Sequence, residues 1–211
     1  MSCEGRTVFI TGGNGGIGRA LTAACLDAGA RLVLAGCRTA TPAPGNCRHV
    51  PLDVTDAASV AAAASAWAGQ VDILINNAGV NHAVDLFADG AAEAMVDEFR
   101  VNALGLMQMT RAFAGPMATG EERAIVNILS VLSRRSVPAM ASYCASKAAA
   151  LSLAESVRIL LEPQGVRVMN VFPRMIDTPM SANLDGPKMS APALAHAILA
   201  GLAGNAEDLF P

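Results

Sequence analysis

The sequence predicts an α/β fold in which helices cover both faces of a parallel β-sheet. Short β-branched runs alternate with longer segments of helical character, a pattern typical of β–α–β units. The short runs are apolar almost throughout rather than alternately polar, as strands buried on both faces should be. The 211 residues show no internal repeat and no long polar linker, so one domain over residues 1–211 is expected.

Strands and helices are assigned in chain order from this alternation. The strands are expected at residues 7–10, 31–34, 49–52, 73–75, 124–128 and 166–171, and the helices at residues 17–28, 56–67, 91–113 and 142–161. Between Ala35 and His49, Pro42 and Pro44 oppose a regular helix, so the second crossover is predicted to be a shortened loop. The sheet would then lack one covering helix on that side.

The composition excludes several classes of protein. Hydrophobic residues make up 53% of the chain and charged residues 16%, which argues against disorder. A net charge of −3 gives no sign of a nucleic-acid partner. The alanine-rich stretch 57–68 is too short to span a membrane. The histidines have no ligand spacing, so no metal site is expected, and five cysteines without a CxxC motif or signal peptide favour reduced thiols in the cytoplasm.

A glycine-rich turn, TGGNGGIG at residues 11–18, follows the first strand and opens the first helix. Such a turn lets backbone N–H groups approach a pyrophosphate, and the helix N-terminus adds partial positive charge. The spacing of Gly12, Gly16 and Gly18 differs from the common GxGxxG by one residue. Taken alone, the stretch is also compatible with a glycine turn that binds nothing.

Five further motifs lie at strand ends or helix starts. They are NNAG at 76–79, VNALG at 101–105, IVNILS at 125–130, YCASK at 143–147 and FPRMIDTPM at 172–180. With the glycine turn, they make the chain resemble the short-chain dehydrogenase/reductase family of the classical type over nearly its whole length. The resemblance implies a Rossmann-like doubly wound parallel sheet in three α/β/α layers. Residues 1–80 would mainly bind a dinucleotide, and residues 100–190 would carry catalytic and substrate contacts.

Tyr143 and Lys147 are four residues apart, so both lie on one side of a helix. A free tyrosine titrates near ~10, and a nearby ammonium group lowers that pKa. Tyr143 could then act as general acid for a carbonyl oxygen or as general base for an alcohol. A surface tyrosine beside an extended lysine is the structural alternative.

Ser130 lies just beyond a predicted strand, where its hydroxyl could orient the substrate oxygen against Tyr143. Ser133 and Ser136 are equally suitable by chemistry alone, and the resemblance selects Ser130 because it closes the NILS motif. The resemblance also matches Asn102 to the family's helix asparagine, which holds a water that links Lys147 to solvent. The alternative for Asn102 is a side chain bonded locally in its helix.

The resemblance implies NAD or NADP as cofactor, and the predicted contacts follow from it. They are Gly12, Asn14, Gly16, Ile17, Gly18, Gly36, Arg38, Asp53, Val54, Asn76, Ala78, Gly79, Tyr143, Lys147, Pro173, Ile176 and Thr178. Asp53 would accept a hydrogen bond from the adenine amino group. Ile176 and Thr178 would touch the nicotinamide carboxamide. Asn76 would line the nucleotide cleft or else brace neighbouring strands.

The choice between NADP and NAD depends on the end of the second strand. An acid there bonds the ribose 2′-hydroxyl of NAD and repels a 2′-phosphate. That position is Gly36, with Arg38 two residues beyond it, and this favours NADP. Asn14, where a basic residue would help bind the phosphate, argues for NAD.

The substrate pocket is expected from residues 81–84, 132–140 and 174–185. Leu132, Val137, Met140, Met175 and Met180 would make it mainly apolar, beside Ser130 and Tyr143. A modest hydrophobic ketone or secondary alcohol is therefore expected, and steroid, acyl-thioester, polyol and xenobiotic substrates remain open. Arg174 stands where the family often has glycine, and it could pair with a substrate carboxylate, although an orientation towards solvent is favoured. The segment 179–189 predicts a short substrate lid.

Two other functions remain open from the sequence. The chain could be a catalytically silent scaffold or nucleotide sensor that keeps the fold, because fold does not imply function. A sugar-nucleotide epimerase or dehydratase uses a similar tyrosine and lysine but usually has a larger carboxyl-terminal domain. The resemblance to short-chain dehydrogenases implies a homodimer or homotetramer, with neither nucleic acid nor membrane as a partner.

Overall fold

The computed structural model describes residues 1–39, 42, 44–117 and 122–211. The strands are β1 (Thr7–Thr11), β2 (Leu32–Cys37), β3 (Cys47–Pro51), β4 (Ile73–Asn76), β5 (Arg123–Ile128), β6 (Val166–Val171), β7 (Ile176–Asp177), β8 (Met189–Ser190) and β9 (Asp208–Leu209). The main sheet has the order β3-β2-β1-β4-β5-β6-β9, and every pairing in it is parallel. The predicted doubly wound parallel sheet is confirmed.

Helices cover both faces of this sheet. They are α1 (Gly16–Asp27), α2 (Ala57–Trp67), α3 (Ala91–Phe99), α4 (Leu106–Met117), α5 (Ala141–Leu161) and α6 (Ala191–Ala203). Successive strand residues point to opposite faces. Val8 and Ile10 belong to the core under α1 and α6, whereas Phe9 between them belongs to the core under α2 and α4. The rings of Phe9 and Phe113 lie 5.0 Å apart in that second core.

The described residues of the connection between β2 and β3 form a loop without a helix, as predicted. β2 runs to Cys37, three residues past the predicted end, and β3 begins at Cys47. Pro42 and the residues 44–46 form no helix, while residues 40, 41 and 43 of the predicted loop lie outside the described residues. The longer β2 places Gly36 inside a strand, which bears on the cofactor site below.

The helix predicted at residues 91–113 is interrupted by a change in hydrogen-bonding pattern. Between α3 and α4, Arg100–Gly105 forms a π-helical turn that contains Asn102. Such turns are rare and often lie at functional sites. A Cβ on Gly105 would come within 2.7 Å of a methyl carbon of Val54, so the turn packs against the segment after β3 only because residue 105 has no side chain.

The sheet order brings the segments with the sequence motifs to one edge. Ligands of doubly wound sheets bind beyond the carboxyl ends of the strands, where the strand order reverses. Here the reversal lies between β1 and β4. The glycine turn, the NNAG segment and the segments after β5 and β6 all follow strands at this edge.

Candidate active site

The glycine turn is closely packed at the start of α1. Gly12 has φ +64°, a conformation that favours glycine, and a Cβ on Gly18 would overlap the carbonyl oxygen of Gly12. A Cβ on Gly16 would come within 2.7 Å of the Thr178 methyl carbon. These glycines therefore allow the first turn of α1 to lie against both the loop before it and the segment after β6.

A cleft of about 580 Å³ lies above this turn. The predicted cofactor residues that line it are Gly12, Asn14, Gly16, Ile17, Gly36, Arg38, Asp53, Val54, Ala78, Gly79 and Thr178. Gly18 is buried beneath the turn and does not line the cleft. Asn77, Thr55 and His82 also line it and were not predicted as cofactor contacts, although His82 lies in the segment 81–84 predicted for the substrate pocket. A cleft floored by glycine backbone fits a dinucleotide, since backbone N–H groups and a helix N-terminus suit a pyrophosphate.

Asn14, Arg38 and Asp53 lie at one end of this cleft. Asn14 donates a hydrogen bond of 3.2 Å to the Thr39 carbonyl, which ties the glycine turn to the loop after β2. Hydrogen bonds from Thr55 lower the pKa of Asp53, and the charge of Arg38 lowers it further. This end of the cleft therefore has a carboxylate beside a guanidinium group.

The structure corrects the interpretation of Gly36. Its φ is not in the left-handed region, and a Cβ there would lie 2.7 Å from Leu52 and 2.8 Å from the Phe9 ring. A side chain at this position would enter the core rather than reach a ribose. Gly36 is required by packing, and its lack of a carboxylate says less about cofactor choice than the sequence suggested.

The structure also corrects the assignment of Asn76 to the cofactor site. Asn76 is buried, and its amide donates to Thr110 Oγ1 and to Asn127 Oδ1. Asn127 in turn donates to Asn170 Oδ1 at 3.0 Å, so three asparagines in register form a ladder across β4, β5 and β6. Asn76 braces strands, which was the alternative left open. Its neighbour Asn77 lines the cleft.

A second cavity, of about 290 Å³, adjoins the cleft and shares Ile17, Asn77 and Thr178 with it. The predicted catalytic and substrate residues that line it are Ser130, Leu132, Met140, Tyr143, Lys147 and Arg174, together with Pro173, Ile176, Met175 and Met180. Val137, predicted as a pocket residue, does not line it. Asn81 and Leu184 lie on its walls as expected for residues 81–84 and 174–185.

Tyr143 and Lys147 lie one turn apart on α5, as the spacing predicted. Lys147 is 5% exposed, its Nζ donates 2.9 Å to the Ile128 carbonyl, and that nitrogen lies 5.8 Å from the centre of the Tyr143 ring. Burial lowers the pKa of Lys147 to about 8. The ammonium group therefore lies beside the tyrosine ring and points towards the end of β5.

The pKa of Tyr143 runs against the prediction of a lowered value. Burial raises it to about 12, and the charges of Cys144 and Glu98 raise it too, while a hydrogen bond with Ser130 lowers it. Removal from water disfavours the charged phenolate more strongly than the hydrogen bond with the Ser130 hydroxyl group stabilises it. In the protein alone, Tyr143 is held as a neutral phenol.

Asn102, in the π-helical turn, forms hydrogen bonds both with the backbone of Val80 and with a side chain of helix α5. Its Oδ1 accepts from the Val80 N–H, and its Nδ2 donates to the Val80 carbonyl and to Ser146 Oγ, each at 2.9 Å. A Cβ on Gly79 would lie 3.1 Å from Asn102 Oδ1 and 3.6 Å from Lys147 Nζ. Asn102 and Lys147 therefore both approach Gly79.

The described part of the chain offers neither a cluster of metal ligands nor a helix that could span a membrane. No group of three or more His, Cys, Asp or Glu side chains there could hold a metal ion. Within the same residues, no helix combines the length and the apolar character needed to cross a membrane.

Comparison with known proteins identifies the family. A family profile described as short chain dehydrogenase matches residues 6–188. The chain belongs to the short-chain dehydrogenase/reductase family. This short-chain dehydrogenase is 39% identical to a short chain dehydrogenase from Burkholderia cenocepacia J2315 solved in complex with NADP, with a TM-score of 0.95 over 100% of this chain and 89% of that one.

Relatives with named activities are oxidoreductases as well. The short-chain dehydrogenase is 35% identical over 189 residues to sorbitol dehydrogenase from Cereibacter sphaeroides, covering 84% of this chain and 73% of the relative. It is 34% identical over 217 residues to D-erythrulose reductase from Gallus gallus, covering 99% of this chain and 87% of the relative. It spans only 37% of a longer short chain dehydrogenase from Aspergillus terreus. The protein is an oxidoreductase of this family, and a nicotinamide cofactor is supported.

Proposed function

We propose that this short-chain dehydrogenase transfers a hydride between a nicotinamide cofactor and a ketone or secondary alcohol. The observation that carries the proposal is that Ser130, Tyr143 and Lys147 line one cavity. That cavity adjoins the cleft above the glycine turn, so a dinucleotide in the cleft would extend to it. The hydride chemistry belongs to the cofactor, and the protein supplies orientation and electrostatics.

Tyr143 is the proposed general acid and base. Its phenol gives a proton to a carbonyl oxygen during reduction and takes one from an alcohol during oxidation. The neutral phenol is the form that reduction requires, and the cation of Lys147 favours the phenolate that oxidation requires. Ser130 orients the substrate oxygen, and Asn102 holds the water that passes protons between Lys147 and solvent.

For the cofactor, we propose NADP in preference to NAD. Gly12, Gly16 and the start of α1 would hold the pyrophosphate. Arg38 lines the far end of the cleft, where its guanidinium group would meet a 2′-phosphate. The neighbouring carboxyl group of Asp53 would accept from the adenine amino group.

For the substrate, we propose a carbonyl compound or alcohol of modest size. The second cavity holds only about 290 Å³, and Leu132, Met140 and Met175 contribute apolar walls. The relatives that act on sorbitol and D-erythrulose make a small polyol or ketose one candidate. Arg174 is exposed on the cavity wall, so its guanidinium group is available to a substrate carboxylate as well as to water.

A tyrosine substitution tests the proposed function. Tyr143→Phe should lower kcat roughly 10²- to 10⁴-fold because the proton donor is lost. The Kd for NADPH should stay near that of the wild type. Ser130→Ala and Ser133→Ala form a matched pair, in which only the first should reduce turnover. A Tyr143→Phe variant with wild-type turnover would overturn the assignment. A wild-type protein that binds NADPH but turns over no ketone would indicate a silent sensor.

We also propose that the protein works in the cytoplasm as a homodimer or homotetramer. All five cysteines are free and buried, as expected for a protein kept in a reducing compartment. Exposed apolar side chains on the helices, such as Ile159 and Val96, are 71% and 49% exposed and support contact with a second copy.

A further inference from the structure

Glu98 is a buried carboxyl group that the mechanism above does not use. It has no solvent exposure and lies on α3, which packs against α5. Its Oε1 accepts a hydrogen bond of 2.8 Å from the His82 N–H. Its Oε2 has no hydrogen-bond partner among the described residues. A buried carboxyl group with an unpaired oxygen costs stability, so packing alone does not explain it.

Glu98 and Asn102 lie one helical turn apart and hold the same loop. Asn102 binds both backbone groups of Val80, and Glu98 binds the backbone of His82. Between those two residues, Asn81 lines the substrate cavity and donates to Met140 Sδ at 3.3 Å. Val80 and His82 line the nucleotide cleft. The segment 80–82 is thus a wall of both cavities, fixed at each end by one side chain.

No hydrogen bond among the described residues offsets the charge on the second oxygen of Glu98, and α3 packs against the helix that holds Tyr143. The titratable groups of the first turns of α5, which pack towards α3, are Tyr143, Cys144 and Lys147. His82 faces Glu98 from the loop, Asp97 precedes Glu98 on α3, and Arg100 follows in the π-helical turn. Of these, the Tyr143 hydroxyl is affected directly, since the charge of Glu98 raises the pKa of Tyr143.

We propose that Glu98 is a positioning residue of this active site, which fixes the wall 80–82 through its hydrogen bond with the His82 N–H. The inference rests on the proposed role of Tyr143 as general acid and base. The buried negative charge of Glu98 also opposes formation of the Tyr143 phenolate, which alcohol oxidation requires, and so moves oxidation to higher pH. The proposal therefore predicts two separable effects, one on binding and one on pH dependence.

The charge is tested by Glu98→Gln, with Glu93→Gln as the matched control on the exposed side of the same helix. A glutamine oxygen can still accept from the His82 N–H, so only the charge is lost. The pH at which kcat for alcohol oxidation is half-maximal should fall by roughly 0.5 to 1 unit in Glu98→Gln. The control should follow the wild-type profile. A Glu98→Gln profile that superimposes on the wild type would refute the role of the charge.

The wall is tested by Glu98→Ala, which also removes the acceptor for His82. The KM for ketone and cofactor should rise about tenfold, equal to about 1.4 kcal/mol of binding. Glu98→Gln should restore it. An alanine variant with wild-type KM values would refute the positioning role.

A spectroscopic titration tests the effect of the Glu98 charge on Tyr143 without a measurement of enzyme turnover. Tyr143 is the only tyrosine, so protein labelled with carbon-13 at tyrosine Cζ gives one resonance. In folded protein, that resonance should titrate at lower pH in Glu98→Gln than in Glu93→Gln, and equal midpoints would refute the proposal. Retention of activity by Tyr143→Phe would instead overturn the proposed function. The titration does not depend on turnover, so the two failures can be told apart.

Discussion

Lys147 is a buried cation whose cost to folding can be separated from its role in the site. Burial lowers its pKa from 10.5 to about 8, so below pH 8 the folded protein holds an ammonium group where charge is disfavoured. That difference in pKa corresponds to about 3 kcal/mol lost from the free energy of unfolding. Between pH 8 and 10.5 the unfolded chain binds more protons than the folded one, so stability contributed by this group rises with pH.

Lys147→Met should therefore stabilise the protein while removing activity. At pH 7 the free energy of unfolding should rise by about 2 kcal/mol, because about 1 kcal/mol is lost with the hydrogen bond to Ile128. Urea unfolding at several pH values measures this gain. It also shows whether the free energy of unfolding no longer rises between pH 8 and 10.5 in the variant. Lys188→Met, at the only other lysine of the chain, is the control and should change neither. A Lys147→Met variant less stable than wild type at pH 7 would contradict the argument.

Arg38 decides the proposed preference for NADP. Arg38→Ala should lower kcat/KM for NADPH roughly ten- to hundred-fold and leave that for NADH nearly unchanged, because only NADPH carries the 2′-phosphate. Arg48→Ala on the exposed side of β3 is the matched control. Substitution of Gly36 by an acid is not a clean test, since the new side chain would collide with Leu52 and Phe9. Wild-type preference for NADH would end the NADP proposal.

At the scale of elements, the sequence predicts the central strands best. β1, β4, β5 and β6 begin and end within a residue of the prediction, because each is an apolar run bounded by polar residues. β2 was predicted three residues short, since Ala35, Gly36 and Cys37 lack the branched side chains that mark strands. α6 was not predicted. Its signals are present, with Ser190 capping the Ala193 N–H and Pro192 in the first turn.

The errors at Asn76 and Gly36 have one physical cause. A strand's side chains alternate between faces, so a motif at a strand end does not say which of two neighbours faces the ligand. Asn76 points into the sheet and Asn77 into the cleft, and Gly36 faces the core. Glu98 was missed because its burial depends on how α3 packs against α5, which residue spacing does not reveal. Tyr143, Lys147 and Ser130 were found because their motifs fix their position relative to a strand end or helix start.

At the scale of the whole molecule, the exposed side of α5 suggests where copies meet. Ala145, Ala148 and Ser152 follow one another along that side and are small enough for close helix packing. Ala148→Arg should shift a dimer or tetramer towards smaller species, because the long cation cannot fit between closely packed helices. Light scattering at micromolar concentration measures this. Ala62→Arg on the exposed side of α2 is the control. A wild-type monomer under these conditions would contradict the proposed assembly.

The asparagine ladder has a consequence for the energetics of ligand binding. Asn76, Asn127 and Asn170 join the ends of β4, β5 and β6, and each of those ends leads into a segment that lines a cavity. The relative positions of the three segments are therefore settled during folding. Conformational entropy that a looser site would lose when its ligands arrive has already been lost here. The site is preorganised at the strand ends, so more of the contact energy remains available as affinity.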